Sequence, residues 1–167
     1  MTRVIIIGNA GGGKSTLSRR LAELTGLPYH SLDALMWAPG WVQHPDYGRR
    51  HQELISNERW IIDGFGTWET VLSRLDAADT VVHVDLPFWR HVWWATKRHI
   101  KVYLGDPPPA PEGCDYRGAF WHLLTIMWRL HRVWRTELLA AFAERDRLKI
   151  YHLRSPGDFE RFLAEAG

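Results

Sequence analysis

Gly8-Asn9-Ala10-Gly11-Gly12-Gly13-Lys14-Ser15 is the stretch that decides the fold, because it fits the phosphate-binding pattern G-x-x-x-x-G-K-[ST]. A β-branched run, Arg3–Ile7, comes directly before it and predicts a buried strand. The segment that follows has leucines at helical spacing and predicts a helix from Lys14 to about Thr25. Strand, glycine loop and helix are the setting that the motif requires, so the sequence predicts a P-loop.

The composition of the loop explains how it could hold phosphates. Glycines let the backbone turn so that successive N–H groups converge, and the start of a helix adds partial positive charge at the same point. We expect Lys14 to reach the β- and γ-phosphates and the Ser15 hydroxyl to ligate Mg²⁺. A nucleoside triphosphate, taken as ATP, is therefore the predicted ligand. Its predicted site comprises Gly8, Asn9, Ala10, Gly11, Gly12, Gly13, Lys14, Ser15 and Thr16.

Composition limits the class of protein. The chain has 167 residues, 46% hydrophobic and 24% charged, which is typical of one soluble domain spanning 1–167. A formal net charge of +2 gives no support to nucleic-acid binding. Cys114 is the single cysteine and Val4–Ile7 is too short for the apolar region of a signal peptide, so we expect a cytoplasmic protein. No apolar run approaches ~18 residues, so we expect no membrane partner.

Strands and helices are predicted to alternate along the chain. This order predicts an α/β fold with a parallel sheet and helices on both faces. Residues 34–48 have loop composition, and about 34–58 form the predicted acceptor-side segment. Glycines and prolines between Gly105 and Gly113 predict a lid-like insertion at about 99–118. Strands are predicted at 3–7, 28–32, 60–62, 80–84 and 148–153, and further helices at 48–57, around 68–75, at 88–103, at 116–145 and after Ser155.

Three predicted strands end in an aspartate, at Asp33, Asp63 and Asp85. Carboxyl ends of parallel strands meet at one edge of a sheet, where ligands bind. Asp63 follows an apolar strand in the manner of a Walker-B acid and is the favoured metal ligand, with Asp33 and Asp85 as alternatives. Asp33 is placed to accept or hold the proton of an acceptor hydroxyl. For Asp85 we favour a structural role in a turn or cap.

Basic and aromatic side chains crowd the predicted lid helices. Arg98 and Arg132 are candidates to close over phosphates, the alternative being a solvated face with a few salt bridges. Most of the ten tryptophans are expected to pack in the core, but Trp37, Trp41 and Trp68 could line a substrate cleft. The nine histidines show no metal-ligand spacing, so no zinc site is predicted.

Five segments together resemble one family. They are YHSLDALMWAPGW, ERWIIDGFG, ADTVVHVDLP, EGC and HLRSPGDFERFL, and the resemblance that they carry extends over nearly the whole chain. The chain resembles the adenylate-kinase-like P-loop proteins known as DNA topology modulation or flagellar-regulator-related (FlaR-like) proteins. The resemblance implies a nucleoside-monophosphate-kinase sheet of order 2-3-1-4-5. IIDGFG also resembles the DGFP segment of adenylate kinases, which implies a magnesium role for Asp63, and LRSP implies that Arg154 and Ser155 border the adenine base.

The chain departs from adenylate kinases on the acceptor side. Gly66-Thr67 stands where those enzymes carry an arginine that grips the monophosphate, and residues 104–115 contain no arginine. AMP is therefore not the expected acceptor, and Arg98, Arg117, Arg129 and Arg132 are the candidate substitutes for the missing cations.

The leading hypothesis is a kinase that moves the γ-phosphoryl of ATP to an unidentified nucleotide or small molecule. A nucleotide-dependent regulatory or DNA-associated protein is the alternative, and plain ATP hydrolysis is a weaker third. A GTPase is set aside because the chain has no Asn-Lys-x-Asp segment for guanine selection.

Overall fold

Five parallel strands form the central sheet of the protein. The computed structural model describes residues 1–106, 110–118 and 120–167. The sheet has the order β2-β5-β1-β6-β7. If these five strands alone are numbered along the chain, their order is 2-3-1-4-5, so the prediction is confirmed. Their bounds are Arg3–Gly8 for β1, Tyr29–Ser31 for β2, Trp60–Asp63 for β5, Thr80–Val84 for β6 and Lys149–Leu153 for β7.

A short antiparallel hairpin lies outside this sheet, formed by β3 (Trp37–Ala38) and β4 (Val42–Gln43). The helices connect the strands and cover both faces of the sheet. They are α1 (Lys14–Thr25), α2 (Leu32–Met36), α3 (Tyr47–Ile55), α4 (Trp68–Ala77), α5 (Phe88–Tyr103), α6 (Phe120–Arg129), α7 (Arg135–Ala143) and α8 (Pro156–Ala166), with a π-helical segment at Leu130–Trp134 between α6 and α7.

The alternation of side chains along β1 explains the three layers. Val4 and Ile6 point into an apolar cluster that includes Leu17 of α1 and Phe162 of α8. Their neighbours in β1 point the other way, into a second cluster that α3, α4 and α7 complete. Because β1 is central and buried on both faces, its middle residues Val4–Ile7 are all apolar, and this is the signal that the sequence carried.

The acceptor-side segment differs from the prediction. Residues 34–48 were expected to be a loop, yet they contain most of α2 and the whole hairpin. Leu32 and Met36 lie one helical turn apart and bury their side chains, so core packing outweighs the loop-like composition. Helix α3 starts at Tyr47 and ends at Ile55, close to the predicted 48–57.

The predicted long helix at 116–145 is shorter and interrupted. Helical structure runs from Phe120 to Ala143, and the π-helical segment divides it. Pro107–Pro109 of the predicted lid lie outside the described residues, whereas 110–118 are described. Among the described helices, none is long and apolar enough to cross a membrane.

Candidate nucleotide and acceptor site

The loop between β1 and α1 has the backbone shape that its glycines permit. Gly8, Gly11 and Gly13 have positive φ angles of 152°, 70° and 78°. A Cβ atom on Gly8 would lie 2.3 Å from the carbonyl oxygen of Val84, so the loop can pass β6 this closely only without a side chain. Gly13 is the N-cap of α1 and brings no side chain to the first amides of the helix. That helix end is therefore open to a phosphate.

Lys14 curls back over this loop. Its ammonium Nζ donates a hydrogen bond to the Asn9 carbonyl oxygen at 2.8 Å. Burial lowers the pKa of Lys14, while the carboxylates of Asp63 and Asp33 act to raise it and the Arg98 guanidinium lowers it further. The structure therefore places three other predicted catalytic side chains within electrostatic range of Lys14: Asp33, Asp63 and Arg98.

Asp63 ends strand β5 and is 3% exposed. Burial raises the pKa of Asp63, whereas a hydrogen bond with the Ser15 hydroxyl and the charge of Lys14 lower it. The Tyr29 hydroxyl donates a further hydrogen bond to Asp63 Oδ1 at 3.2 Å. Sequence reasoning missed Tyr29, whose position in a short strand gave no sign of this contact.

The predicted metal ligands Ser15 and Asp63 thus lie side by side. Mg²⁺ in nucleotide sites is usually held by one or two protein oxygens, with phosphates and water completing the octahedron. A hydroxyl beside a buried carboxylate fits that requirement. No cluster of three or more His, Cys, Asp or Glu side chains able to hold a metal occurs in the described part of the chain.

Asp33 lies in the first turn of α2, at the carboxyl edge of the sheet. The residue is exposed, unlike Asp63. Its charge acts on Lys14, on Asp63 and on Tyr116 of the 110–118 segment. An exposed carboxylate beside the P-loop lysine can accept a proton or a hydrogen bond from an acceptor.

The hairpin and the 110–118 segment meet beside this group. The Gly40 amide donates to the Gly113 carbonyl at 3.0 Å, and the Trp41 indole N–H donates to the Asp115 carbonyl at 2.7 Å. The Cys114 thiol lies 3.3 Å from the Ala38 carbonyl. We call this set of contacts between residues 37–43 and 113–116 the clasp.

Two predicted cleft residues lie at the clasp. The Trp41 ring is 5.2 Å from Tyr116 and 6.0 Å from Trp37, between centroids. Tyr116 also connects the clasp to the charged residues around Lys14, since the Arg98 guanidinium lies 5.3 Å from the Tyr116 ring. Trp41 has a φ of 60°, which is unusual for a bulky residue and implies strain.

The third predicted cleft residue, Trp68, packs elsewhere. Its ring stacks on Phe65, and the other partner of Phe65 is Trp134 at 4.8 Å. This aromatic stack supports the turn that follows Asp63.

Arg74 holds the same turn and was missed by sequence reasoning. It is completely buried in α4 and donates to the carbonyl oxygens of Gly64 at 3.0 Å and Phe65, and through Nε to Thr70 at 3.0 Å. Burial lowers the pKa of Arg74 to about 10. A usable signal was present, because Arg74 occupies an inward helical position between the core residues Val71 and Leu75.

Asp85 is paired within the protein. It accepts two hydrogen bonds from Arg135 of α7, from Nε and Nη2, each 2.7 Å long. These bonds hold the pKa of Asp85 below its usual value despite its partial burial. This geometry agrees with the structural role favoured for Asp85.

Two contacts attach the P-loop to the lid helices. The Asn9 side-chain amide donates to the Met127 carbonyl in α6 at 2.8 Å. His91 of α5 places Nδ1 3.1 Å from the Ala10 carbonyl. Burial lowers the pKa of His91 to about 4, so at neutral pH its ring is neutral and Nδ1 donates this bond. Sequence reasoning did not single out His91.

No contact described for the remaining predicted residues, Arg132, Arg154 and Ser155, joins them to the group around Lys14. Arg132 is exposed and its guanidinium lies 4.8 Å from the Trp128 ring; no contact described for it reaches Lys14. Arg154 is exposed, with Nε 3.9 Å from Asp85. Ser155 is the N-cap of α8 and shares a capping box with Asp158. The roles of Arg132, Arg154 and Ser155 in binding or catalysis stay predictions.

Comparison with known proteins supports the fold. No protein-family model matches the sequence, and no curated protein matches it. Several solved structures are similar over nearly the whole chain. Shikimate kinase from Acinetobacter baumannii, in complex with shikimate, has a TM-score of 0.60 at 16% identity, covering 99% of this chain and 90% of that one.

A sugar kinase from Janibacter sp. HTCC2649 has a TM-score of 0.59 at 20% identity, covering 98% of this chain and 94% of that one. A gluconokinase from Sinorhizobium meliloti 1021 has a TM-score of 0.55 at 18% identity, covering 99% and 89%. These similarities support the broader resemblance, to P-loop kinases, and do not reach the narrower one, to topology modulation proteins. The chain has the three-layer α/β fold of P-loop kinases.

Proposed function

We propose that the protein is a Mg²⁺-dependent kinase that transfers the γ-phosphoryl of ATP to a hydroxyl group of a small acceptor. The observation that carries the proposal is the convergence of Lys14, Asp33, Asp63 and Arg98 at the carboxyl edge of the sheet. A lysine on the phosphates, a carboxylate beside the metal-binding hydroxyl and a second carboxylate for the acceptor are the parts that phosphoryl transfer needs.

Each residue has a distinct task in the proposed reaction. The P-loop amides and Lys14 hold the β- and γ-phosphates in place, and Arg98 faces the charge that develops on the transferred group. Ser15 and Asp63 would hold Mg²⁺, which neutralises phosphate charge when bound. The acceptor oxygen forms a bond to the γ-phosphorus while the bond from that phosphorus to the β–γ bridging oxygen breaks. Asp33 takes the hydroxyl proton, and ADP leaves.

Electrostatics favours an uncharged acceptor or one of low charge. The two cations and two carboxylates of the group cancel before the nucleotide binds. Mg-ATP itself brings excess negative charge, and a monophosphate acceptor would add more in a partly enclosed site. The aromatic rings of Trp37, Trp41 and Tyr116 lie beside Asp33 and could stack on the face of a ring-shaped hydroxyl compound, which would be a better acceptor here than a monophosphate. The solved structures of similar fold include kinases named for shikimate and for sugars, which supports the same class.

The proposal also includes the organisation of the chain. Residues 1–167 act as one domain in the cytoplasm, with an acceptor-side segment at about 34–58 and a lid-like insertion at about 99–118. The clasp supports this division, because it joins these two segments beside Asp33.

A phosphoryl-transfer screen tests the proposal. Purified protein is incubated with radiolabelled ATP and Mg²⁺ and with sugars, polyols, hydroxy acids and nucleoside monophosphates in turn. We expect label on a hydroxyl compound, and Lys14→Ala should abolish transfer while its melting curve stays cooperative. A true acceptor present at 100 times its Kd should add about 2.7 kcal/mol to the free energy of unfolding. Folded protein that binds Mg-ATP but labels no acceptor, or only releases phosphate, would contradict the proposal.

A further inference from the structure

Helix α5 carries a stripe of exposed apolar side chains on its outer face. Trp89 and Trp93 lie one turn apart, and Ile100, Tyr103 and Leu104 continue the line towards the end of the helix. These five residues are between 51% and 77% exposed. Soluble domains rarely leave so long an apolar stripe uncovered unless something binds there.

Helix α6 extends this stripe sideways. Trp121 and Trp128 are two turns apart on one side of α6 and are 77% and 50% exposed. The Trp128 ring contacts Phe88 at the start of α5, with centroids 5.5 Å apart. An open apolar groove of about 620 Å³ runs along α5, lined by Phe88, Trp89, Val92, Trp93 and Thr96. We call the exposed side chains of α5 and α6 together the tryptophan surface.

Three exposed indoles of this surface each have a cation beside the ring. The Arg90 guanidinium lies 5.1 Å from the Trp89 ring, and the Lys97 ammonium lies 4.8 Å from the Trp93 ring. Arg132 and Trp128 form the third pair. The sequences 86–105 and 116–136 contain no aspartate or glutamate. The tryptophan surface is therefore both apolar and positive; the acid beside it, Asp106, pairs with Lys101 and leaves the cations at Trp89, Trp93 and Trp128 unbalanced.

The combination of apolar bulk and unbalanced cations decides which partner fits. A second copy of the chain, paired through the same surface, would bring like charges together. Single-stranded nucleic acid could stack bases on the indoles, but Ile100 and Leu104 offer it neither stacking nor hydrogen bonds. A lipid bilayer could bind all three kinds of side chain on the tryptophan surface. Indoles lie at the level of the headgroups, aliphatic side chains enter the acyl boundary, and lysine and arginine bind anionic headgroups.

We propose that the tryptophan surface docks the protein peripherally on anionic lipid bilayers. This mode needs no spanning helix, whereas the expectation of no membrane partner considered spanning segments alone; α5 would lie flat in the interface as amphipathic helices do. Docking leaves the candidate site free, because Arg98 lies half a helical turn round α5 from Trp89 and faces Tyr116. The lipid surface and the phosphoryl-transfer site therefore use opposite faces of the same helix.

Vesicle sedimentation tests the proposal with the full chain. The protein is mixed with vesicles of phosphatidylcholine alone or with added phosphatidylserine. We expect sedimentation only with the anionic vesicles, and release as salt is raised. Arg90→Gln and Lys97→Gln should each weaken binding about fivefold. Trp89→Ser and Trp93→Ser should each weaken it by about tenfold or more.

Matched control variants distinguish binding through the tryptophan surface from non-specific electrostatic or hydrophobic binding elsewhere on the protein. Arg59→Gln removes an exposed cation at the start of β5, and Leu24→Ser removes an exposed apolar side chain of α1. Both variants should bind vesicles as the unsubstituted chain does. Quenching of tryptophan fluorescence by brominated lipid tests contact without any substitution, and we expect a decrease on binding.

Several results would overturn the proposal. The first is that the protein does not sediment with anionic vesicles at low salt. The second is that the Trp89→Ser/Trp93→Ser double variant binds vesicles as tightly as the unsubstituted chain. The third is that the protein binds an oligonucleotide but not vesicles. A dimer in solution that the double variant abolishes, without vesicle binding, would also overturn it and identify the surface as a self-association site.

Discussion

Replacement of Arg74 should show that a buried cation holds the turn behind Asp63. The guanidinium forms no salt bridge with an acid among the described residues, although the charge of Asp63 acts on it, and it donates instead to the backbone carbonyls of Gly64, Phe65 and Thr70. Its pKa of about 10, against an ordinary 12.5, means that burial disfavours the charged form by about 3 kcal/mol. Each hydrogen bond from a charged donor contributes about 1.5–3 kcal/mol in return.

These magnitudes compare two substitutions. Arg74→Met removes the charge and its burial cost of about 3 kcal/mol, but loses the three bonds to Gly64, Phe65 and Thr70, for a net destabilisation of about 1.5–6 kcal/mol. Arg74→Lys keeps a buried charge and can make only one of the three bonds, so it should cost about 3–6 kcal/mol. The chemically closer residue is therefore expected to be no better a replacement than methionine.

Urea denaturation measures the stability change, and titration with Mg-ATP measures the site. We expect both variants to bind Mg-ATP more weakly, because the turn that follows Asp63 loses its support. Arg49→Lys, on the exposed surface of α3, is the matched control and should change stability by less than about 0.5 kcal/mol. A stable Arg74→Lys variant with unchanged Mg-ATP affinity would refute the reasoning.

Three further results are expected. Burial lowers the pKa values of His51, His83 and His91 to about 4. In the unfolded chain these histidines are protonated below pH ~6.5, whereas in the folded chain they are protonated only below about pH 4. Stability should therefore fall across that window, by about 2 kcal/mol per histidine at pH 5, and His91→Gln should reduce the slope of unfolding free energy against pH. Asp63→Asn should raise the melting temperature, because burial raises the pKa of that carboxyl, yet remove the dependence of nucleotide binding on Mg²⁺; a lower melting temperature would contradict this. Trp41→Gly should speed amide exchange at 113–116 with little change in melting temperature, and unchanged exchange would show that the clasp does not depend on the indole.

The parts of the fold that sequence could predict depend on local patterns. The buried strands β1 and β6 are mostly apolar, with Val4–Ile7 in β1 and three valines in β6, and a glycine or an aspartate marks the end of each. The hairpin of β3 and β4 has strands of two residues, too short for any periodicity. Its contacts come from residues 113–116, far along the chain, so no local window contains the information.

The residues of the candidate site likewise divide into those that local sequence predicts and those that depend on long-range contacts. Lys14, Ser15 and Asp63 follow a motif and a strand end, so their positions could be predicted. Tyr29 and Arg74 act through partners that only the folded chain brings near, and Tyr29 meets Asp63 across two neighbouring strands. Tyr29 carried no sign of its contact in the sequence, whereas the inward helical position of Arg74 between Val71 and Leu75 was a usable one.

Strain at Trp41 bears on how the site would work. A bulky residue in the left-handed region costs about 1–3 kcal/mol and persists only where surrounding contacts fix it. The contacts that fix Trp41 are the indole hydrogen bond to Asp115 and the Tyr116 ring, both on the other half of the clasp. The hydrogen bonds from Gly40 and Trp41 together contribute about 1–3 kcal/mol, which is the same size as the strain. The closed clasp is therefore finely balanced without a ligand, and an acceptor that contacts Trp41 or Tyr116 would favour closure and keep water from the transferred phosphoryl group.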